Sequence, residues 1–400
     1  MKDKPKRAAY RSAVRQLFGC CILAAIWYNS ENHAQNKDSL KVAIVHDWLN
    51  QIGGAEGVLE ALVEMFPGAP VYTSIYWPDA MPGEYRSWDI HTTWMDHLPG
   101  IYRHHQPYLL FYPLAFGGVK LHGYDLVISN KSAFCLGVQT PPETRHICYC
   151  LTPTRFVWNF DDYVGREQVG GTARRLVRPF LGWLRDWERA AADRVDAFVA
   201  ISDEIQARIQ QLYGRESTVI YPPVDTGRFT PVDKHNDYYL IISRLIPYKR
   251  IDLAVRAFTE LGLPLWIGGG GRDRASLEAI AGPDVRFLGR VPDEELGSLL
   301  AGCRAFIFPG LEDFGISPVE AMAAGRPVIA YAGGGALDTV IEGVTGTFFY
   351  EQTPESLAQA VRRFDESTFD PEAIRAHAEE FDVSVFKSQL RAFIEKELGN

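Results

Sequence analysis

The sequence predicts an α/β protein built from two doubly wound domains that face each other across a cleft. Short apolar runs alternate with helical stretches over most of the chain, a pattern typical of parallel sheets with crossover helices. A stretch with three prolines at residues 221–231 divides the pattern into two series. The length of 400 residues fits this organisation, since a domain usually has about 100–200 residues.

Composition and charge exclude several classes of protein. The chain is 46% apolar and 23% charged, as globular enzymes are and as disordered, collagenous or coiled-coil chains are not. The formal net charge of −9 disfavours a protein that binds nucleic acid, because such proteins present a basic surface. The six cysteines form no CxxC pair, which predicts reduced thiols in the cytoplasm and no metal site.

Residues 1–40 form a separate extension, with a basic start and an apolar run at residues 17–28. That run is too short to cross a bilayer, which takes roughly 20 helical residues. Three interpretations are open: a cleaved signal peptide, an anchor that lies on a membrane surface, and a tail without function. The lack of a small-residue cleavage motif disfavours the signal peptide.

The first domain is predicted over residues 41–221. Its strands are expected at residues 41–46, 70–75, 124–129, 146–150 and 197–201. A turn containing Gly53 and Gly54 follows the first strand and leads into a helix at residues 57–66. His46 and Asp47 end that strand beside the turn, where α/β domains bind ligands, and a purely structural role is their alternative.

A linker at residues 222–236 leads to the second domain, predicted over residues 237–380. The expected helices lie at residues 250–261 and 272–280. The expected strands lie at residues 239–243, 265–268, 285–288, 305–308, 328–330 and 346–350. The final segment, residues 381–400, is expected to form an amphipathic helix that packs on the second domain or back on the first.

The most informative stretch is residues 308–327. A buried strand ends there, a loop carries Glu312, and Ser317 and Glu320 fit a capping box at the start of a helix. In a purely structural interpretation, Glu320 completes the cap and Glu312 is a solvated acid. The functional interpretation is an anion site for a phosphate, formed by three free N–H groups at the helix start, those of Gly315, Ile316 and Ser317.

Cationic side chains follow the first strand of the second domain. Arg244 comes directly after that strand, and Lys249 lies five residues later. Cations at this edge are costly to bury unless an anion such as a diphosphate neutralises them, and surface ion pairing is the alternative. Gly268 ends the next strand and allows close approach of a ligand. The GxGxxG spacing is absent, which disfavours an NAD-dependent oxidoreductase.

These motifs together resemble the signatures of retaining glycosyltransferases of family 4. The segments EDFGISPVE at residues 312–320 and SRLIPYKR at residues 243–250 are similar to the E-x7-E and Arg/Lys signatures of that family. The segments HDWLNQIGGAE, VIYPPVDTGRFTP and AAGRPVIAYAGGG match as well. The subgroup that the chain resembles most is the bacterial mannosyltransferases of O-antigen and exopolysaccharide assembly.

The resemblance implies a GT-B fold with a first domain that binds the acceptor and a second that binds a nucleotide-sugar donor. It also implies retention of the anomeric configuration, with no metal and no other cofactor. Arg244 and Lys249 would neutralise the diphosphate of the donor as it leaves. Glu312 would contact the donor sugar, and Glu320 would bond the ribose hydroxyls.

Backbone groups would complete the donor site that the resemblance implies. The segment near Arg290 would meet the base, and the helix start at residues 315–317 would hold sugar and phosphate oxygens. Gly53 and Gly54 would close over the diphosphate from the acceptor side. One residue departs from the family pattern: Leu151 stands where relatives usually carry a histidine that bonds the donor sugar. Three interpretations of this difference are open: the enzyme uses a different donor sugar, it turns over more slowly, or a neighbour such as His146 replaces the missing histidine.

Two segments are candidates for contact with the acceptor and with a membrane. Residues 171–187 combine arginines with Trp, Phe and Leu, and residues 97–116 are rich in Tyr, His and Pro. Basic and aromatic surfaces suit an anionic membrane face and a lipid-linked acceptor. The alternative is an ordinary helix that buries its aromatic rings and solvates its arginines.

The sequence therefore predicts a hexosyltransferase that moves mannose from GDP-mannose to a lipid-linked saccharide in surface polysaccharide synthesis. Such an enzyme is expected at the inner face of the cytoplasmic membrane, without a nucleic-acid partner. The alternatives are another donor (UDP-glucose, UDP-galactose or GDP-fucose), a nucleotide-sugar epimerase of GT-B fold, and a non-catalytic protein that binds nucleotide sugars.

Overall fold

The computed structural model describes residues 40–160, 175, 177–232 and 234–399. The basic start and the apolar run of the N-terminal extension lie outside this range, and so do residues 171–174 of the arginine- and tryptophan-containing segment. The described residues from Val42 onward belong to one structural unit. In the described parts of the chain, no helix is long and apolar enough to span a membrane.

Among the described residues, the first sheet has seven strands, all paired in parallel, in the order β3-β2-β1-β4-β5-β6-β7. The central strands β1, β4 and β5 are almost wholly buried. Each contains an apolar stretch, as buried parallel strands do, but β4 ends in buried Ser129, Asn130 and Lys131. The strands are β1 (Val42–His46), β2 (Val71–Thr73), β3 (Ile90–Thr92), β4 (Leu126–Lys131), β5 (Arg145–Cys150), β6 (Ala197–Ala200) and β7 (Ser217–Val219).

The two edge strands of this sheet, β3 and β7, were not among the predicted ones. Each has three residues, none of them fully buried, so neither presents an apolar run in the sequence. The helices that accompany the first sheet are α1 (Gly54–Met65), α2 (Tyr112–Gly117), α3 (Arg155–Trp158), α4 (Leu181–Ala192) and α5 (Asp203–Tyr213). Helix α1 begins directly after Gly53, three residues earlier than predicted.

In the part of the chain that the structure describes, the second sheet has six parallel strands in the order β10-β9-β8-β11-β12-β13. The six strands predicted for this region are all present: β8 (Tyr239–Ile242), β9 (Leu265–Gly268), β10 (Val285–Gly289), β11 (Ala305–Phe308), β12 (Val328–Tyr331) and β13 (Gly346–Phe349). The order of the strands reverses between β8 and β11, as in doubly wound sheets.

Helices cover the second sheet, and the last of them returns to the first. They are α6 (Ile251–Leu261), α7 (Arg274–Glu278), α8 (Asp293–Gly302), α9 (Ile316–Ala323), α10 (Ala336–Thr339), α11 (Pro354–Arg363), α12 (Pro371–Ala378) and α13 (Val383–Leu398). In α13, Phe386 packs edge-on against Tyr149 of β5 at 5.6 Å, and Lys387 forms an ion pair with Glu64 of α1. The C-terminal helix therefore packs on the elements of the first sheet.

The chain passes twice between the two sheets at neighbouring positions. On the first passage, the N–H of Val224 donates to the carbonyl of Phe381 at 3.1 Å. On the second, the N–H of Val383 donates back to the carbonyl of Val224 at 3.0 Å. Tyr221 packs here on the rings of both Phe314 and Phe381, so apolar side chains from the two halves share one core. The predicted class, two doubly wound α/β layers, is confirmed.

Candidate active site

A cavity of about 650 Å³ lies where the carboxyl ends of strands from both sheets meet. The residues that follow β1, β4 and β5 line one side, and the residues that follow β8 and β11 line the other. Ligands of open α/β sheets bind at this edge. A second cavity, of about 460 Å³, is lined by residues of α3 and α4 and their neighbours rather than by strand ends.

The structure brings most of the predicted site residues to the larger cavity. Those that line it are Gly53, Gly54, Arg244, Lys249, Glu312, Gly315, Ile316 and Ser317. Those that do not line it are His46, Asp47, Gly268, Arg290 and Glu320.

Lys249 and Glu312 form an ion pair inside the cavity. Lys249 lies in the 3-10 turn after β8, Glu312 lies in the loop after β11, and the Nζ atom of the lysine contacts Oε2 of the glutamate. Both side chains are largely buried, with 15% and 17% of their surface exposed. A side chain at Gly310 would come within 3.0 Å of the Lys249 backbone, so the absence of one lets the two loops pack closely. Glu312 is therefore not a solvated loop acid.

Arg244 is exposed at the same edge of the second sheet. Its Nη2 donates to the hydroxyl of Tyr248 at 3.3 Å, within the turn that presents Lys249. Behind it, the glycines after β9 fit tightly: a Cβ on Gly269 would lie 1.9 Å from the carbonyl oxygen of Ser243. Gly268 itself packs between Ile242 and Val291. The glycines at 268 and 269 therefore let the segment that carries Arg244 pack closely against β9. The sequence predicted instead that Gly268 allows a ligand to approach closely.

Helix α9 starts differently from the prediction. Gly315, with φ of 97°, is the N-cap residue, and no side chain caps the helix. The predicted capping box is wrong, because the left-handed glycine turns the chain into the helix before Ser317, which lies inside the first turn. The N-terminal N–H groups keep no side-chain acceptor of their own, so this helix start suits an anion.

The start of α1 faces the start of α9. A Cβ on Gly54 would lie 2.7 Å from Cδ1 of Ile316, so the two helix N-termini approach each other directly across the cavity. The N-cap of α1 is Gly53, again without a side-chain cap. Two helix N-termini, each equivalent to roughly half a positive charge, thus add to the cations of this edge.

Asp313, next to Glu312, joins the two halves of the molecule. Its carboxylate accepts hydrogen bonds from Arg155 Nη2 at 2.6 Å and from Arg208 Nη1 at 3.0 Å. Burial raises the pKa of Asp313, but the two guanidinium groups outweigh burial and hold that pKa below its ordinary value. Neither arginine is a predicted site residue, since contacts over 158 and 105 positions leave no local signal in the sequence.

His46 and Asp47 are buried beneath the cavity and have structural partners. The Asp47 carboxylate accepts five hydrogen bonds, four from backbone N–H groups of residues 132–135 and one from the Ser132 hydroxyl. The Nε2 atom of His46 lies 3.3 Å from Glu56, and its Nδ1 atom lies 3.2 Å from Asn130. The structure therefore favours the structural interpretation: both residues hold segments that line the cavity.

Glu320 and Arg290 lie outside the cavity lining. Burial raises the pKa of Glu320 to about 7, the charge of Arg228 acts against this shift, and the charge of Asp293 adds to it. Arg290 is exposed in the segment after β10.

Leu151 does line the cavity, whereas His146 does not. His146 is buried in β5, where its Nε2 lies 3.0 Å from the Ser129 hydroxyl, and burial lowers its pKa to about 4. It therefore cannot take over the role of the histidine that Leu151 replaces. Among the residues that the structure describes, the histidine that lines the cavity is His105, which lies in the Tyr-, His- and Pro-rich segment at residues 97–116.

Metal ligands are not grouped in the described residues. No set of three or more His, Cys, Asp or Glu side chains there could hold a metal ion. The four described cysteines, Cys135, Cys148, Cys150 and Cys303, are buried free thiols.

Two family models match the chain. The model described as Glycosyltransferase Family 4 matches residues 52–228, and the model described as Glycosyl transferases group 1 matches residues 228–381. Together they run without a gap from residue 52 to residue 381, and residues of both matched regions line the larger cavity.

Similar proteins are named as mannosyltransferases. The chain is 25% identical to the alpha-1,3/1,6-mannosyltransferase ALG2 of Mus musculus over 335 residues, which are 72% of this chain and 77% of that protein. It is 30% identical to a GDP-mannose-dependent alpha-(1-6)-phosphatidylinositol monomannoside mannosyltransferase of Mycolicibacterium smegmatis. That match extends over 230 residues, 47% of this chain and 60% of the relative.

Solved structures share the architecture. The crystal structure of Anabaena HepE in complex with UDP aligns with 89% of this chain over 100% of its own chain. The TM-score is 0.63 and the sequence identity is 18%. Sucrose-phosphate synthase from Thermosynechococcus elongatus covers 88%, at a TM-score of 0.64 and 18% identity, over 98% of its own chain. Residues 52–228 thus form a glycosyltransferase family 4 domain and residues 228–381 a glycosyl transferases group 1 domain, and the two build a GT-B fold.

Proposed function

We propose that the protein is a retaining mannosyltransferase that uses GDP-mannose and a lipid-linked saccharide acceptor. The observation that carries the proposal is the cavity in which Arg244 and the Lys249–Glu312 pair face two opposed helix N-termini. This arrangement suits a diphosphate that gains negative charge as it leaves. Mannose is favoured by the names of the relatives, and a lipid-linked acceptor by the earlier resemblance to polysaccharide-assembly enzymes.

The same geometry favours a substitution on one face of the sugar without a covalent enzyme intermediate. Glu312 is paired with Lys249, and Asp313 is engaged by two arginines, so neither carboxylate is placed as a free nucleophile. In the proposed step, the bond from C1 of the sugar to the diphosphate oxygen breaks, and a bond from C1 to the acceptor oxygen forms. The proton of the acceptor hydroxyl passes to the departing diphosphate.

We propose further that the leaving group is neutralised by protein groups without a metal ion. Lys249 would exchange part of its contact with Glu312 for a phosphate oxygen, and Arg244 would add a second cation. The helix starts at Gly54 and Ile316 would donate backbone N–H groups. These contacts supply charge where it develops, in fixed positions.

For location, we propose peripheral contact with the inner face of the cytoplasmic membrane. Phe180 and Trp183 at the start of α4 are almost half exposed, and Arg178 is exposed beside them. Aromatic rings flanked by arginine suit the interface of an anionic leaflet. Co-sedimentation with vesicles of anionic and of neutral lipid, using the full chain, would test this part: equal binding to both, or none, would contradict it.

A donor screen tests the proposed reaction. The purified full chain is incubated with GDP-mannose, GDP-fucose, UDP-glucose and UDP-galactose, and release of the nucleoside diphosphate is measured. We expect release from GDP-mannose, reduced at least 100-fold in Lys249→Ala and unchanged in the control Lys387→Ala, whose lysine pairs with Glu64 far from the cavity. Hydrolysis of another donor in place of GDP-mannose would contradict the proposed donor sugar. Full activity of Lys249→Ala would mean that the reaction does not take place in this cavity.

Two other functions of the same site give different results in this screen. An epimerase would release an altered nucleotide sugar, with the diphosphate still attached and without an acceptor. A non-catalytic sensor would bind the nucleotide sugar and consume none of it. Trapping a glycosyl group on Glu312 or Asp313, seen by mass spectrometry, would contradict the one-face substitution while leaving the transferase in place.

A further inference from the structure

Trp48 occupies a fixed position on the first-sheet side of the cavity. It directly follows Asp47, whose carboxylate is fully engaged with the segment at residues 132–135. The side chain of Trp48 is partly exposed and lines the cavity. A large ring that is held by its own backbone and still faces a ligand cavity is a candidate contact for a substrate.

Aromatic side chains support this ring from behind. The ring of His105 lies 4.7 Å from the ring of Trp48, and Tyr112 meets Trp48 edge-on at 5.6 Å. Tyr112 in turn stacks on Phe134 at 5.7 Å, and its hydroxyl lies 3.4 Å from Nδ1 of His105. Tyr112 and Phe134 are fully buried, so the cluster is rigid and the Trp48 ring is preorganised.

Of the described residues that line the cavity within 48–52 and 105–109, none is Asp, Glu, Lys or Arg. Glu56, further along the first segment, also lines the cavity, and its carboxylate lies 3.3 Å from Nε2 of His46. The neighbours that line the cavity in the segments on either side are Gln51, Ile52, His105, Gln106 and Leu109. The basic side chains of the cavity, such as Arg244 and Lys249, belong to the ends of other strands. This part of the cavity therefore suits a neutral ligand that combines an apolar face with hydroxyl groups, rather than a phosphate.

We propose that Trp48, supported by His105, is a stacking platform for the terminal pyranose ring of a saccharide acceptor. A pyranose presents C–H groups on one face, which fit the ring of Trp48, and hydroxyls at its rim, which fit the amides of Gln51 and Gln106. The loop from Trp48 leads directly to Gly54, at the diphosphate side, so the platform holds the acceptor beside the donor. The inference rests on the proposed transferase function.

Saturation-transfer NMR on the full chain tests the platform without turnover. The probe is octyl α-mannoside below its micelle concentration, and octyl phosphate is the comparison without a sugar ring. We expect strong saturation of the ring C–H protons in the wild type, and at least a fivefold loss in Trp48→Leu. The loss should be smaller in Trp48→Phe, which keeps a ring. Trp94→Leu is the matched control, since Trp94 is about half exposed and does not line the cavity.

Kinetics separates this inference from the proposed reaction. In Trp48→Leu, kcat/KM for transfer to octyl α-mannoside should fall at least tenfold, and this fall should be at least fivefold larger than any change in hydrolysis of the donor without acceptor. If donor hydrolysis is absent from the wild type, the proposed function fails, and the NMR result still judges the platform. Equal saturation in the wild type and Trp48→Leu, or stronger binding of octyl phosphate than of octyl mannoside, would overturn the platform itself.

Discussion

Arg155 donates from Nη2 to Oδ2 of Asp313 at 2.6 Å, and this contact ties the segment after β5 to the loop after β11. Because Glu312 is the next residue in that loop, its position relative to Lys249 depends on a contact made by the opposite half of the molecule. The two carboxylates of this loop are therefore held from both sides of the cavity. Glu312 is held by Lys249 of the second-sheet half, and Asp313 is held by Arg155 of the first-sheet half.

Replacing Asp313 with asparagine should destabilise the protein and weaken catalysis together. The change leaves Arg155 and Arg208 without their carboxylate, at a cost of about 1–3 kcal/mol in the free energy of unfolding. Urea denaturation measures the loss. Arg86→Ala is the control, because the Arg86–Asp79 pair is largely exposed and should contribute less than about 1 kcal/mol. Equal losses in both variants would contradict the importance of the buried pair.

Lowering the pH should destabilise the fold through His146. Burial lowers its pKa to about 4, whereas in the unfolded chain the pKa returns to its ordinary value of 6.5. The unfolded state therefore binds the proton first, and stability falls as the pH drops from about 6.5 to about 4. Over this pH range, the free energy of unfolding should fall by about 3 kcal/mol. Urea denaturation at several pH values measures the free energy of unfolding. Its dependence on pH should be weaker in His146→Gln than in the wild type, and an equal pH dependence would contradict a role of His146.

Nucleotide affinity should weaken as the pH falls below about 7. The family resemblance implies that Glu320 bonds the ribose hydroxyls of the donor, and an ionised carboxylate is the better acceptor for them. Burial raises the pKa of Glu320 to about 7, so protonation below that pH should weaken this contact. Calorimetric titration of GDP between pH 6 and pH 8 measures the effect. The pH dependence should flatten in Glu320→Gln, which cannot ionise. A profile that is identical in wild type and variant would remove Glu320 from the donor site.

A larger residue at Gly54 should impair donor binding through one contact. Even a Cβ there would meet Cδ1 of Ile316 at 2.7 Å, so Gly54→Val should push the two helix starts apart and raise the KM for the donor several-fold. The double variant Gly54→Val with Ile316→Ala removes the obstructing atom. It should recover most of this loss, about 0.5–1 kcal/mol. If the KM for the donor stays as high in the double variant as in Gly54→Val, the contact between these helix starts is not the cause of the weaker donor binding.

The sequence predicted those parts of the fold whose cause is local. A buried strand such as β1 appears as an apolar run, while the edge strand Ile90–Thr92 has no such run and was missed. The predicted N-cap of α9, Ser317, lies two residues after the observed one, because the left-handed Gly315 turns the chain into the helix earlier than the capping pattern indicates. The Arg155–Asp313 contact could not be predicted, since it joins residues whose proximity only the packed fold creates.

The paired crossings of the chain determine how the cavity can open. Val224 exchanges backbone hydrogen bonds with Phe381 and Val383, so the two connections between the halves lie side by side at one point. Tyr221 packs on Phe314 beside this point, so apolar contacts reinforce the junction. A rotation of the two halves about this point would therefore have to break the contacts of Asp313 with Arg155 and Arg208, which join the halves elsewhere.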